Sequence, residues 1–233
     1  MLYLRKSDER GYAEVGGWLK SYHTFSFSDY YDPKFMGFRD LRVINQDWIA
    51  RGSGFPPHPH RDMEIITYVL QGAVEHTDSL GNVGQITAGE IQTMHAGTGI
   101  RHGERNPSST EDLRLFQIWI TPDTEGVTPG YTQQSFSREE KLDNLRLIVS
   151  KHGREDSQKI HQDVDLYAAV FTPGHSKTFE VRPERGIWIQ LAEGEMEVNG
   201  VVMKSGDGAA IQDISSIEMK AIKETEFLLF DLN

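Results

Sequence analysis

Apolar and polar residues alternate along this chain in short runs, broken by Gly, Pro, Asn and Asp. A period of two predicts half-buried β-strands, because successive side chains on a strand point to opposite faces. In the first half the runs cover residues 41–44, 65–70, 73–77, 91–94 and 113–120. In the second half they cover 145–149, 164–171, 187–191, 195–198, 201–203 and 227–232. Asn199-Gly200 between two of these runs predicts a two-residue hairpin turn. No long helical period is present. Strands at this spacing predict an all-β protein built as sandwich or barrel.

The halves resemble each other. Leu70-Gln71-Gly72-Ala73-Val74-Glu75 leads through a turn to Ala88-Gly89-Glu90, and Ala192-Glu193-Gly194-Glu195-Met196-Glu197 leads to Gly206-Asp207-Gly208. Gly72 and Gly194 lie about half the chain apart, as in a duplicated β-barrel. Residues 1–40, rich in aromatics and glycine, are expected to form short strands and loops over one barrel end. Residues 121–143 carry Pro122, Gly126, Pro129 and Gly130, then a charged run after Ser137; they are expected to connect the halves, with one helical turn. The expected division is a first domain over 1–125, a linker over 126–144 and a second domain over 145–233.

Composition narrows the function. The net charge of −11 disfavours nucleic acid and anionic membrane as direct partners. There is no cysteine, which excludes disulfides, thiolate metal sites and a cysteine nucleophile. The start of the chain lacks the apolar run of a signal peptide, and no window is apolar enough for a membrane span. A cytoplasmic monomer is the expectation. No glycine-rich phosphate loop and no Gly-x-Ser-x-Gly elbow is present, so nucleotide and serine-hydrolase chemistry lack support.

The candidate chemistry lies in two pairs, His58-Pro59-His60 and His102-Gly103-Glu104. Residues two apart on a strand share a face, so each pair can aim both side chains into one cavity. Three imidazoles and one carboxylate suit Fe, Co, Ni, Cu, Mn or Zn, and four protein ligands on an octahedral ion leave two positions for chemistry. Glu104 has two readings, as a ligand and as a base that takes a substrate hydroxyl proton. Glu64 is expected to orient a ligand imidazole or to sit on the surface. His76 and His95 are expected to be structural, His23 to pack among aromatics. His152, His161 and His175 receive no metal. Phe55, Met63, Met94 and Trp119 are expected in the core or pocket wall.

The stretch from Gly52 through His58, His60 and Glu64 to Gly72 resembles the first cupin motif, with one extra residue before its last glycine. The second motif is matched in part: Gln92 stands where a histidine is usual, and the missing ligands come later, at His102 and Glu104. That departure resembles the pirin family, as do Tyr68-Val69-Leu70-Gln71-Gly72 and Ala96-Gly97-Thr98-Gly99-Ile100-Arg101-His102, with Tyr30-Tyr31-Asp32-Pro33 and Phe38-Arg39. The resemblance covers most of the chain and is strongest over 20–120. It implies two tandem cupin barrels, the second without metal, and one ion on His58, His60, His102 and Glu104, with Fe(II) favoured and Ni, Co, Mn or Cu accepted. It implies the activity of a quercetin 2,3-dioxygenase, in which a flavonol-like substrate is cleaved by O2 with release of carbon monoxide. The alternatives are a metal-binding redox sensor or transcription-cofactor-like protein without turnover, and a promiscuous cupin whose own substrate is a different small molecule. An open metal position beside an apolar cavity favours an enzyme; a site closed by the loops near 28–38 favours a sensor.

Overall fold

The computed structural model describes all residues 1–233. The chain divides into two compact units, one of Gly11–Phe136 with Gln158–Gln162, the other of Met1–Arg10, Ser137–Ser157 and Asp163–Asn233. Both are built from antiparallel strands, as the alternation predicts.

In the first unit a long sheet runs in the order Gly130–Ser135, Glu90–His95, Glu64–Gln71, Leu113–Ile120, Leu41–Ile49, Leu19–His23, Gly11–Val15. A short sheet has the order Gly54–His60, Ile100–Arg105, Ala73–Asp78, Val83–Thr87. Val74 and Ile86 of the short sheet pack with Ile49, Val69, Leu113 and Leu115 of the long one. Burial of such residues removes apolar area from water and is the main force pressing the two sheets together.

The second unit repeats this plan in its main strands. Its long sheet includes, in order, Leu2–Arg5, Gly208–Ile211, Gly186–Glu193, Thr225–Leu232, Val164–Phe171 and Arg146–Ser150. Its short sheet runs Ser176–Glu180, Ser216–Ala221, Glu195–Val198, Val201–Lys204. Between them lies a core that includes Ile189, Leu191, Met196, Val198, Met219 and Phe227. The matching glycines turn matching corners: Gly72 has φ +78° and Gly194 φ +91°. A Cβ at Gly194 would lie 2.1 Å from the Glu224 carbonyl oxygen, so glycine is required there for contact as well as for φ.

Several expectations need correction. The hydrogen bonds of each unit form two sheets that pack together, not one closed barrel. Met1–Arg10 does not belong with the first half; Leu2–Arg5 pairs with Gly208–Ile211, Leu2 opposite Ile211. The expected linker contains a strand, Gly130–Ser135, which lies against Glu90–His95 at the edge of the first unit's long sheet. Its sequence is polar and gives no apolar alternation, because an edge strand needs little apolar face to keep its backbone bonds. The helical turn does form, over Arg138–Lys141, with Ser137 Oγ accepting from the Glu140 N–H and the Glu140 carboxylate accepting from the Ser137 N–H. Asn199 and Gly200 both have positive φ, as a two-residue hairpin turn requires. No helix is long and apolar enough to cross a membrane.

Candidate metal centre

The two candidate pairs lie on neighbouring strands of the first unit's short sheet. Gly54–His60 pairs with Ile100–Arg105, His102 directly opposite His58 and Ile100 opposite His60. His58, His60 and His102 converge, with ring centroids 4.6–5.0 Å apart. Their candidate ligand atoms all lie within 4.8 Å of one another. Between His102 and Glu104 the register slips, so that Glu104 pairs opposite Phe55. Such a bulge re-aims the side chains that follow it.

Glu104 is brought beside His102 and a fourth histidine, His76, their candidate ligand atoms within 4.8 Å of one another. Its carboxylate is buried and accepts three hydrogen bonds. Thr67 Oγ1 (3.1 Å) and Gln92 Nε2 (2.6 Å) donate to Oε1, and Gln117 Nε2 (2.7 Å) donates to Oε2. These donors stand side by side on the long sheet, where Thr67 is opposite both Gln92 and Gln117. The row continues to Asn45 opposite Gln117 and His23 opposite Asn45. A carboxylate has about four acceptor positions, so Oε2 keeps room for one further partner. Gln92, which stands where cupins usually carry a histidine, thus serves the site as a donor to Glu104.

The imidazoles are set up to ligate. His58 Nδ1 is 2.9 Å from the Pro56 carbonyl oxygen, which fixes the proton on Nδ1 and leaves the Nε2 lone pair available. Burial, followed by the nearby His102 and His58, pushes the His60 pKa down to about 4. Burial, followed by His58 and His76, pushes His102 down to about 3. Both rings are therefore neutral at pH 7. Both nitrogens of His102 are buried without a hydrogen-bond partner. A metal ion on one of them would satisfy an atom that otherwise carries an uncompensated desolvation cost. The donor set fits a divalent transition ion.

Beside the imidazoles is a cavity of about 440 Å³. Trp18, Phe27, Phe55, Ile65 and Trp119 form its apolar wall, and the Trp119 ring stands edge-on to His60 at 4.9 Å. His58 and His60 line the cavity and are only half-buried, so the loops near 28–38 do not seal the site. Ser21, His23, Asn45 and Asp47 form a polar patch in the same wall. Asp47 Oδ1 accepts from Ser21 Oγ at 2.5 Å, and Asn45 Oδ1 is 2.8 Å from His23 Nδ1. Burial raises the Asp47 pKa to about 7; the Ser21 bond opposes this and Glu104 adds to it.

Residue patterns alone did not find Asp47, Thr67 or Gln117, which come from separate strands and carry no local motif. His76, expected to be structural, lies at the site: its Nε2 is 3.1 Å from Asp78 Oδ2 and its ring stacks on Tyr131 at 4.4 Å. His23, expected to pack, does both, facing the cavity and stacking near Phe27 and Tyr30. Phe55 and Trp119 are pocket wall as expected. Glu64 faces away from the imidazoles, since on its strand Ile65 and Thr67 take the inner face.

Comparison with known proteins places this geometry. Residues 4–120 match the Pirin family model, and residues 147–232 match that of the quercetinase C-terminal cupin domain. The chain is 52% identical to a quercetin 2,3-dioxygenase of Escherichia coli (strain K12), over all of this chain and 99% of that protein. It is 41% identical to a pirin-like protein of Caulobacter vibrioides, over 99% of each. The crystal structure of the bacterial pirin YhhW from Escherichia coli in complex with nickel(II) superposes with a TM-score of 0.95 at 52% identity, covering 100% of this chain and 99% of that one.

Proposed function

The chain belongs to the pirin family, and on that premise we propose that it is a metal-dependent dioxygenase acting on a flavonol-type enediol such as quercetin. The observation that carries this reading is the convergence of three imidazoles beside a cavity of about 440 Å³ with aromatic walls. Cavities of that size and lining suit small flat ligands. His58, His60 and His102 would hold the ion, with Glu104 as fourth ligand through the acceptor position left on Oε2. A bound divalent ion supplies Lewis acidity toward an enolic oxygen and a route for its electron density to O2. Fe(II) is the proposed native ion, and Ni, Co, Mn or Cu would be accepted by the same donors.

The chain's own residues do the rest. Trp18, Phe27, Phe55 and Trp119 hold the flat rings and exclude water. Glu104, oriented by Thr67, Gln92 and Gln117, takes the proton of the substrate hydroxyl; Asp47, titrating near neutrality in the same wall, can pass it on.

The test is quercetin consumption with carbon monoxide detection, using protein stripped of metal and reloaded with Fe(II) or Ni(II), beside His58→Ala. Metal-dependent turnover that His58→Ala abolishes is the expected result. Full metal occupancy with no carbon monoxide would overturn the dioxygenase reading in favour of a metal-binding sensor.

A further inference from the structure

We propose a second metal site, on the reverse face of the same long sheet, formed by Glu64, His95 and His161. It lies within the first unit and is independent of the dioxygenase reading. Glu64 stands directly opposite His95 on the neighbouring strand. Both side chains point away from the face that carries Thr67, Gln92 and the cavity, because side chains alternate along each strand. His161 comes from the segment Gln158–Gln162, which covers this face: Gln158 Oε1 accepts from Thr93 Oγ1 at 2.7 Å and from Thr132 Oγ1 at 3.2 Å.

The three groups converge. Glu64 Oε2 is hydrogen-bonded to His95 Nδ1, and Oε1 lies 2.9 Å from His161 Nδ1. The two rings meet edge to face at 4.7 Å. One ligand atom from each residue lies within 4.8 Å of the others. The Glu64 side chain is only 1% exposed, whereas that of His161 is 40% exposed. A buried carboxylate is stabilised best by a full positive charge, which two imidazoles sharing one ion provide. A tetrahedral ion with ligand distances of about 2.0–2.1 Å would accept these donors after small ring rotations, with its fourth position open to water beside His161.

The scaffold is already in place. The Asp123 N–H donates to the His161 carbonyl at 2.7 Å, and Gln162 Nε2 donates to the Thr121 carbonyl at 2.8 Å. His161 is thus held over Glu64 by hydrogen bonds that need no metal. Two imidazoles and one carboxylate suit a borderline ion, and Zn(II) is the proposed occupant. Bound there, it would clamp the segment Gln158–Gln162 to the sheet.

The experiment is Zn(II) loading by equilibrium dialysis with elemental analysis, in a His58→Ala/His102→Ala background that removes the cavity-side ligands. About one Zn(II) per chain is expected, falling to near zero when the half-exposed His161 is changed in His161→Gln. Co(II) in place of Zn(II) should give the visible absorption of a tetrahedral ion, lost in the same variant. If the background does not fold, the otherwise wild-type chain reads the same difference, from about two ions to about one on His161→Gln. Zinc content that His161→Gln leaves unchanged, or no zinc in a folded background variant, would overturn the proposal and leave Glu64, His95 and His161 as a hydrogen-bonded cluster only.

Discussion

Asp47 and the site imidazoles titrate in opposite senses. With its pKa raised from 3.8 to about 7, folded Asp47 keeps a proton that the unfolded chain releases. Its contribution to stability is full below about pH 3.8 and is lost as pH rises to about 7. His60 and His102 have folded pKa values near 4 and 3, below the usual 6.5. The unfolded chain therefore takes up their protons first, and stability falls as pH drops from about 6.5 towards 4. Metal-free Asp47→Asn should accordingly gain stability at pH 8, by up to about 4 kcal/mol, and gain nothing at pH 4. Denaturant unfolding at the two pH values reads this out; an equal effect at both would rule out titration as the cause. Gln92→Leu removes a donor from Glu104 and leaves the imidazoles in place. It should cost about 1–3 kcal/mol of stability and lower turnover well below what its metal content would give. Parallel assays of bound metal and rate on one preparation make that comparison.

At the level of strands, the site depends on how closely two of them approach. Gly54 faces the bulge beside Glu104, and a Cβ there would sit 2.2 Å from the Glu104 carbonyl oxygen. Gly54→Ala must push Gly54–His60 away from Ile100–Arg105. The expected loss is about 2 kcal/mol or more in unfolding free energy, with metal binding weakened at least tenfold, measured by chelator competition. Strands with a strong apolar period were legible in sequence: Leu113–Ile120 and Val164–Phe171 form over the residues the alternation marks. Gly130–Ser135 was not, because its partners and not its own residues make it a strand. The strand Ile100–Arg105 lies among glycines that signalled turns, yet its His-x-Glu spacing still marked the candidate side chains. The polar row from Gln92 to His23 could not be read, since its members meet only through the register of five different strands.

Across the whole molecule, the repeat is one of topology, while the candidate metal-ligand clusters are confined to one copy. The long sheets share their strand order, and each takes an edge strand from an end of its unit's sequence, the first from its close and the second from the start of the chain. Gly130–Ser135 serves in the first unit and Leu2–Arg5 in the second. Removing residues 1–10 should therefore leave the first unit's metal content intact while lowering the melting temperature by several degrees. Hydrogen exchange should quicken at residues 208–212, which lose their partners. Faster exchange in the first unit's strands instead would contradict this division of roles.

The pairing of Leu2 with Ile211 also bears on how the protein is made. A chain emerging from a ribosome exposes its first strand long before the partner exists, since more than two hundred further residues must be translated. Leu2 and Leu4 wait meanwhile without a sheet to join. The first unit likewise waits for Gln158–Gln162. No single cut in the gene yields either unit whole, so a chain divided at its midpoint would leave two incomplete halves.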